Sequence, residues 1–214
     1  TIDPTHYKDD DIAVIGVGLH IGDTNNLDEY WEIFENNIDC IRDLPKCRKD
    51  DLEDFAQLYQ QMLMPDQNGN ITYNKACYLE HIDEFDNEYF KISPREAQVM
   101  DPIQRILLET IFETFDDAGY TSEMLSGSKT GIYIGYTPGS MKDNYSTNLS
   151  YNNPELVKYS SVGNMPCIIP SRASYALNLQ GPTKLIDSAC SSSLVAIHDA
   201  CVSIKNGTCS MAIA

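Results

Sequence analysis

A cysteine that follows a strand and opens a helix can serve as a nucleophile. Residues 184–201, "KLIDSACSSSLVAIHDAC", place Cys190 in that setting. Backbone N–H groups at a helix N-terminus have no intrahelical partner, and the helix dipole favours negative charge there. Both effects favour the thiolate, the form that attacks. The same N–H groups can hold the oxyanion that forms when a thioester carbonyl is attacked. Ala189, Ser191 and Ser192 are small and leave room for a substrate at the turn. The competing reading is a buried structural thiol, since free Cys is among the most buried residue types. Cys201 and Cys209, in apolar surroundings without such a turn, fit that second description.

A thiol nucleophile needs a base, and the chain offers none. His198 is nearest in sequence, but eight residues of helix span ~12 Å, far beyond the ~3 Å reach of a hydrogen bond. It is expected on a helix face, packed or bonded locally. His20 follows the first apolar run, His81 lies in an irregular stretch and His6 near the N-terminus, and none has a neighbourhood that marks a base.

The elements that must position Cys190 follow from hydrophobic period and turn chemistry. "DIAVIGVG", residues 11–18, reads as a buried strand. "NNLDEYWEIFENN" reads as a helix capped by Asn25 or Asn26. Residues 39–96 are irregular and read as a cap or insertion, with Asn68-Gly69 as a hairpin turn. A strong helix follows, with Pro102 in its first turn, a face of Ile106, Leu107, Thr110, Ile111, Thr114 and Phe115, and Gly119 as its end. "KTGIYIGYT" is a second strand, closed by Pro138 and Gly139, and a polar loop covers 140–154. "SVGNMPCIIPSRASYALNL" reads as a helix broken at its prolines, "PTKLIDSA" as a third strand, residues 190–206 as a helix and "CSMAIA" as a fourth strand. Strands alternating with helices indicate a layered α/β core. Residues 1–10 read as a polar linker without the features of a signal peptide. Residues 210–214 form an apolar run that stops mid-element, so the chain is expected to be part of a longer polypeptide.

Composition narrows the function. Of the 214 residues, 42% are apolar and 22% charged, an ordinary globular balance. No apolar run approaches the ~20 residues of a membrane span. The net charge of −17 argues against nucleic acid as a partner, so an acidic partner would need a local Lys/Arg cluster. The seven cysteines are scattered without CxxC spacing, which points to reduced thiols in a cytoplasmic protein and to no zinc site. Gly16-Val17-Gly18 lacks the third glycine of a dinucleotide loop, because position 21 is Ile21. A calcium loop starting at Asp66 would need Gly where Ile71 stands and Glu where Cys77 stands.

"DSACSSSLVAIHDAC" resembles the nucleophile segment of β-ketoacyl synthases, most closely those of modular polyketide synthases. "DIAVIGVG", "LDEYWEIFENNIDCIRDLP", "FKISPREAQVMDPIQRILLETIFETFDDAGY", "TGIYIG" and "SRASYALNLQGP" resemble further stretches of that family, in the family's order. The irregular opening is similar to synthases served by freestanding acyltransferases. The resemblance implies a thiolase-like layered α/β/α/β/α fold, of which residues 11–214 form the N-terminal half with a cap insertion over roughly 39–96. It implies a homodimer, joined to other domains of a polyketide synthase and working with an acyl carrier protein. Cys190 would be the nucleophile, its own N–H contributing to the oxyanion hole. The acyl chain would arrive on the 4'-phosphopantetheine of the carrier protein, with no metal and no bound cofactor. Condensation with a decarboxylating malonyl-type extender would follow. Two histidines of the family, one in a His-Gly-Thr-Gly-Thr motif, do not occur in this chain, which accounts for the missing base. A non-condensing ketosynthase-like domain that only binds or transfers the acyl chain is the alternative. The chain departs from the family pattern at Ser188, where Thr is usual, at Leu19-His20-Ile21, and at Ile103, Ser171 and Ala173. These changes are expected to alter pocket or loop packing and to leave the thiol in place.

Overall fold

The computed structural model describes residues 11–22, 24–50, 72–137, 154–160 and 163–214. The 1–10 linker, the Asn68-Gly69 turn, the Pro138-Gly139 strand end and almost all of the 140–154 loop lie outside the described residues. The chain forms two compact units, one of Thr1–Val17 with Phe85–Ala214, the other of Gly18–Glu84.

The larger unit is built on strand β1 (Thr130–Gly135), with β2 (Thr183–Ile186) and β3 (Met211–Ile213) parallel on either side. Ile132 stands opposite Thr183 in one ladder and Ile213 in the other. A central strand of a parallel sheet is covered on both faces and therefore apolar throughout, and β1 is buried along nearly its whole length. Its alternate residues face two different packings. Ile132 and Ile134 pack with Leu108, Ile111 and Phe115 of helix α3 (Pro102–Asp117) and with Ile169 and Ala173 of α6 (Ile168–Ala176). Tyr133 points the other way, to Ala196 and Ala200 of α7 (Ser192–Lys205). The result is an α/β/α layering, with α7 joining β2 to β3 across the sheet.

The helix starts are encoded locally. Ser93 caps α2 (Pro94–Val99) by accepting the Glu96 N–H, and Asp101 caps α3 by accepting the Ile103 N–H at 2.9 Å. Each cap is followed by a first-turn proline, whose missing N–H costs nothing there. The α3 chain leaves through Gly119 at φ 78°, a conformation glycine adopts freely. Helices α4 (Ser122–Leu125) and α5 (Val157–Ser160) are single turns.

Two expectations need correction. Residues 11–18 pair with no strand among the described residues, and Val14 is 83% exposed. The run crosses the last turn of α3 instead: Val17 N–H donates to Asp117 Oδ2 at 2.9 Å, and a Cβ on Gly16 would meet Thr114 O at 2.5 Å. An apolar pattern makes a segment extended, but a strand also needs a partner, and this run lies against α3 instead. The buried face of α3 is also rotated from the expected one, running through Gln104, Leu108, Ile111 and Phe115. Thr110 and Thr114 satisfy their hydroxyls on the carbonyls of Ile106 and Thr110. Gln104 is buried because Arg172 Nε donates to its Oε1 at 2.7 Å, while Arg172 Nη1 pairs with Glu96 at 2.6 Å.

In the smaller unit, α1 (Leu27–Glu35) begins as expected. Asn26 Oδ1 accepts the Glu29 N–H, and Glu29 Oε2 accepts the Asn25 N–H, each at 2.9 Å. This reciprocal pairing satisfies two orphan donors. Arg42 and Ala76 form an antiparallel bridge.

Asn164 ties the start of α3 to the end of α2. Its buried amide donates to Val99 O at 2.7 Å and accepts the Asp101 N–H at 3.0 Å. Asn164→Ala leaves both backbone groups unpaired and should cost about 1–3 kcal/mol. Asn164→Asp, which sets a buried carboxylate oxygen against the Val99 carbonyl, should cost at least as much. Urea denaturation with hydrogen exchange at the α3 amides measures both.

Candidate active site

Between Ile186 and Ser192 the chain reverses from strand to helix in five residues. Asp187 and Ser188 leave β2, a short 3₁₀ turn covers Ala189–Ser191, and α7 begins at Ser192. So short a reversal forces an unusual backbone. Ala189, immediately before Cys190, has φ 56°, a left-handed conformation that costs a non-glycine residue about 1–2 kcal/mol. It persists because both of its peptide groups are held. Its N–H donates to Asp187 Oδ1 at 3.2 Å, and its carbonyl accepts from Ser192 Oγ at 2.7 Å. Ser192 Oγ also accepts the Ser188 N–H at 2.9 Å.

The turn is pressed against the end of β1. A Cβ on Gly135 would lie 2.5 Å from the Ser193 nitrogen and 2.6 Å from the Ser192 carbonyl carbon. Thr137, two residues on, donates to Asp187 Oδ1 at 2.7 Å and lies 3.3 Å from Ser192 Oγ. The Thr137 hydroxyl, with the Ala189 N–H second, holds the Asp187 carboxyl below the usual carboxylate range. Along α7 the face toward the sheet is Ser192, Ala196, Ala200 and Ser203, all small. Small residues let the helix approach closely enough for this geometry.

Cys190 is a free, exposed thiol on this turn. Ser191 stands at the N-cap of α7, but its hydroxyl does not cap the helix. It folds back onto Ser188, 2.8 Å from the carbonyl oxygen and 2.9 Å from the hydroxyl. The first-turn amides beside the thiol therefore lack the side-chain cap that Ser usually supplies. Such amides can stabilise developing negative charge.

The other expected positions fall elsewhere. His198 is exposed on α7, within an unbroken helix that keeps it from Cys190. His20 Nδ1 meets Asn25 Oδ1 at 3.0 Å, and His81 Nδ1 lies 3.7 Å from Glu84. Cys209 is buried, and burial pushes its thiol up against the opposing effect of the Tyr133 hydroxyl and Gly131 backbone. Cys201 is half-buried on α7. Among the described residues no group of three His, Cys, Asp or Glu side chains could hold a metal, and no helix is long and apolar enough to cross a membrane. Sequence reasoning did not find Thr137, Asp187 or Gly135 as parts of the site. Only Gly135 left a signal, a glycine closing a buried strand, which often marks close backbone approach.

Residues 9–214 match the family model described as "Beta-ketoacyl synthase, N-terminal domain". The chain is 39% identical over 204 residues to Polyketide synthase PksN of Bacillus subtilis (strain 168), covering 95% of this chain and 4% of that protein. It is 37% identical over 206 residues to 6-methylsalicylic acid synthase of Penicillium terrestre, covering 96% of this chain and 11% of that protein. The chain thus spans a small fraction of the length of these curated relatives. Among solved structures, the ketosynthase from module 6 of the bacillaene synthase of Bacillus subtilis 168 superposes with a TM-score of 0.72 at 32% identity, covering 94% of this chain and 30% of that one. Such neighbours have the thiolase-like fold, whose mixed α/β layering and parallel sheet the described residues share.

Gly135→Ala should push the start of α7 off β1 at a cost of about 1–3 kcal/mol. Urea denaturation and hydrogen exchange at residues 189–193 read this. An unchanged denaturation midpoint would show that the close approach is not tight. The Asp187 carboxyl should titrate below its ordinary value of 3.8. A depressed folded value means that its hold on the turn is complete above the ordinary range and is lost as pH falls through the folded value. The ¹³C shift of the Asp187 carboxyl should report that midpoint, and the Ala189 amide shift should track it.

Proposed function

Since the chain belongs to the β-ketoacyl synthase family, as its N-terminal domain, we propose that Cys190 is the acyl-accepting nucleophile of a polyketide synthase ketosynthase. The observation that carries this reading is an exposed thiol on a strained strand-to-helix turn, beside helix amides that the N-cap Ser191 leaves uncapped.

The geometry fits covalent acyl transfer. The Cys190 thiolate attacks the thioester carbonyl of an acyl chain carried on the phosphopantetheine of an acyl carrier protein. A new C–S bond forms, and the carbonyl oxygen gains negative charge. The backbone N–H of Cys190 itself faces that charge as one donor of an oxyanion hole, the second donor belonging to the other half of the domain. Collapse breaks the old C–S bond, and the arm leaves as a thiolate that takes up a proton. A malonyl-type extender on a carrier protein then loses carbon dioxide, and its α-carbon attacks the Cys190 acyl thioester. That step forms the C–C bond and returns the thiolate.

In this reading residues 11–214 are the first half of a ketosynthase domain. The two histidines that assist decarboxylation and condensation belong to the second half, beyond Ala214. The domain works as a cytoplasmic homodimer alongside other synthase domains, with no bound cofactor of its own. The irregular opening "DIAVIGVGLHIGD" favours a synthase served by freestanding acyltransferases.

The test uses the intact polypeptide that carries this chain, incubated with an acyl-pantetheine thioester. Intact mass should show one acyl adduct, absent in Cys190→Ala. Addition of malonyl-carrier protein should then discharge the adduct and yield a product two carbons longer. Loading without extension would support the non-condensing reading. Loading that survives Cys190→Ala would overturn the assignment of the nucleophile.

A further inference from the structure

The turn that carries Cys190 depends on a residue from a different element. Thr137 follows the end of β1, 50 positions before Asp187 in the chain, yet its Oγ1 lies 2.7 Å from Asp187 Oδ1. An ionised carboxylate only accepts hydrogen bonds, so the single Thr137 proton goes to Asp187. The Ser192 proton is committed to the Ala189 carbonyl at 2.7 Å. No proton is left for the 3.3 Å approach of Thr137 to Ser192, which is therefore a packing contact. The same carboxylate oxygen that Thr137 fixes accepts the Ala189 N–H. Ala189 is the residue at φ 56° from which Cys190 is presented. A side chain like that of Asp187, exposed and free to rotate, would hold no amide in place by itself. Thr137 removes that freedom.

We infer that Thr137 is a positioning residue for Cys190. Its hydroxyl locks the Asp187 carboxylate, the carboxylate holds the Ala189 amide in its left-handed conformation, and that conformation sets the direction in which Cys190 leaves the turn. Thr137 touches no substrate in this role. The inference rests on the assignment of Cys190 as the nucleophile.

The test compares Thr137→Val, Thr137→Ser and Cys190→Ala in the intact polypeptide, by the kinetics of acyl transfer from an acyl-pantetheine thioester. Thr137→Val keeps the shape and removes the donor. It should slow acylation about three- to tenfold, the effect of one hydrogen bond on a barrier, with the concentration dependence on the thioester unchanged. Thr137→Ser should restore the rate. The Asp187 carboxyl should titrate at higher pH in Thr137→Val and return to its wild-type midpoint in Thr137→Ser. A packing role alone would not move that midpoint or be rescued by serine, and a hydrogen bond that serves only the fold would move the midpoint without slowing acylation. Wild-type acylation in Thr137→Val, or an unmoved Asp187 midpoint, would overturn the inference and leave Cys190 as the nucleophile. Acylation that survives Cys190→Ala would instead overturn the reading on which the inference rests.

Discussion

The geometry around Cys190 depends on how closely the start of α7 can approach the end of β1. Contact at Gly135 is so close that no side chain fits between strand and helix. Small residues along the sheet-facing side of α7 continue that approach for three turns. Once the helix is this near, the link from β2 has no room to widen and must turn sharply, so Ala189 adopts a left-handed conformation. Strain of this kind persists only where surrounding bonds over-determine it. Here Asp187 holds the amide and Ser192 the carbonyl, and neither partner lies more than three positions away.

Packing behind the sheet gives this arrangement something rigid to press on. Tyr133 fills the space under α7 from the same strand that sends Ile132 and Ile134 into the opposite layer. That opposite layer is fixed by polar as well as apolar contacts. Arg172 on α6 reaches Gln104 on α3, Glu96 on α2 and the carbonyl of Gly163. One guanidinium thus sets the spacing of three helices, a use for which its planar fork of donors is suited. The reactive turn is therefore the exposed end of a central strand whose two faces are both committed.

The longer helices and the nucleophile were legible in the sequence because their signals are local, whereas the short helices α2, α4 and α5 were not read from it. The cap at Asn26 and the first-turn proline Pro102 each act within a few residues. The strand–turn–helix setting of Cys190 was equally plain. What could not be read depended on partners far away in the chain. Gln104 looks like a solvent-facing residue until Arg172, 68 positions on, is placed against it. Residues 11–18 have the composition of a strand, but composition does not supply a pairing partner. Thr137 and Asp187 are ordinary polar residues in sequence, and only the parallel pairing of β1 with β2 brings them together. Resemblance to a family located the thiol but could not show what holds it.

The central claim is that position on this turn, and not exposure alone, makes Cys190 reactive. Cys47, Cys77 and Cys167 are exposed as well, which makes them internal controls. The most direct measurement is timed alkylation of the intact polypeptide by limiting iodoacetamide at neutral pH, with peptide mapping of every cysteine. The account predicts that Cys190 is modified well ahead of Cys47, Cys77 and Cys167, with Cys209 last. Equal rates at the four exposed thiols would contradict it.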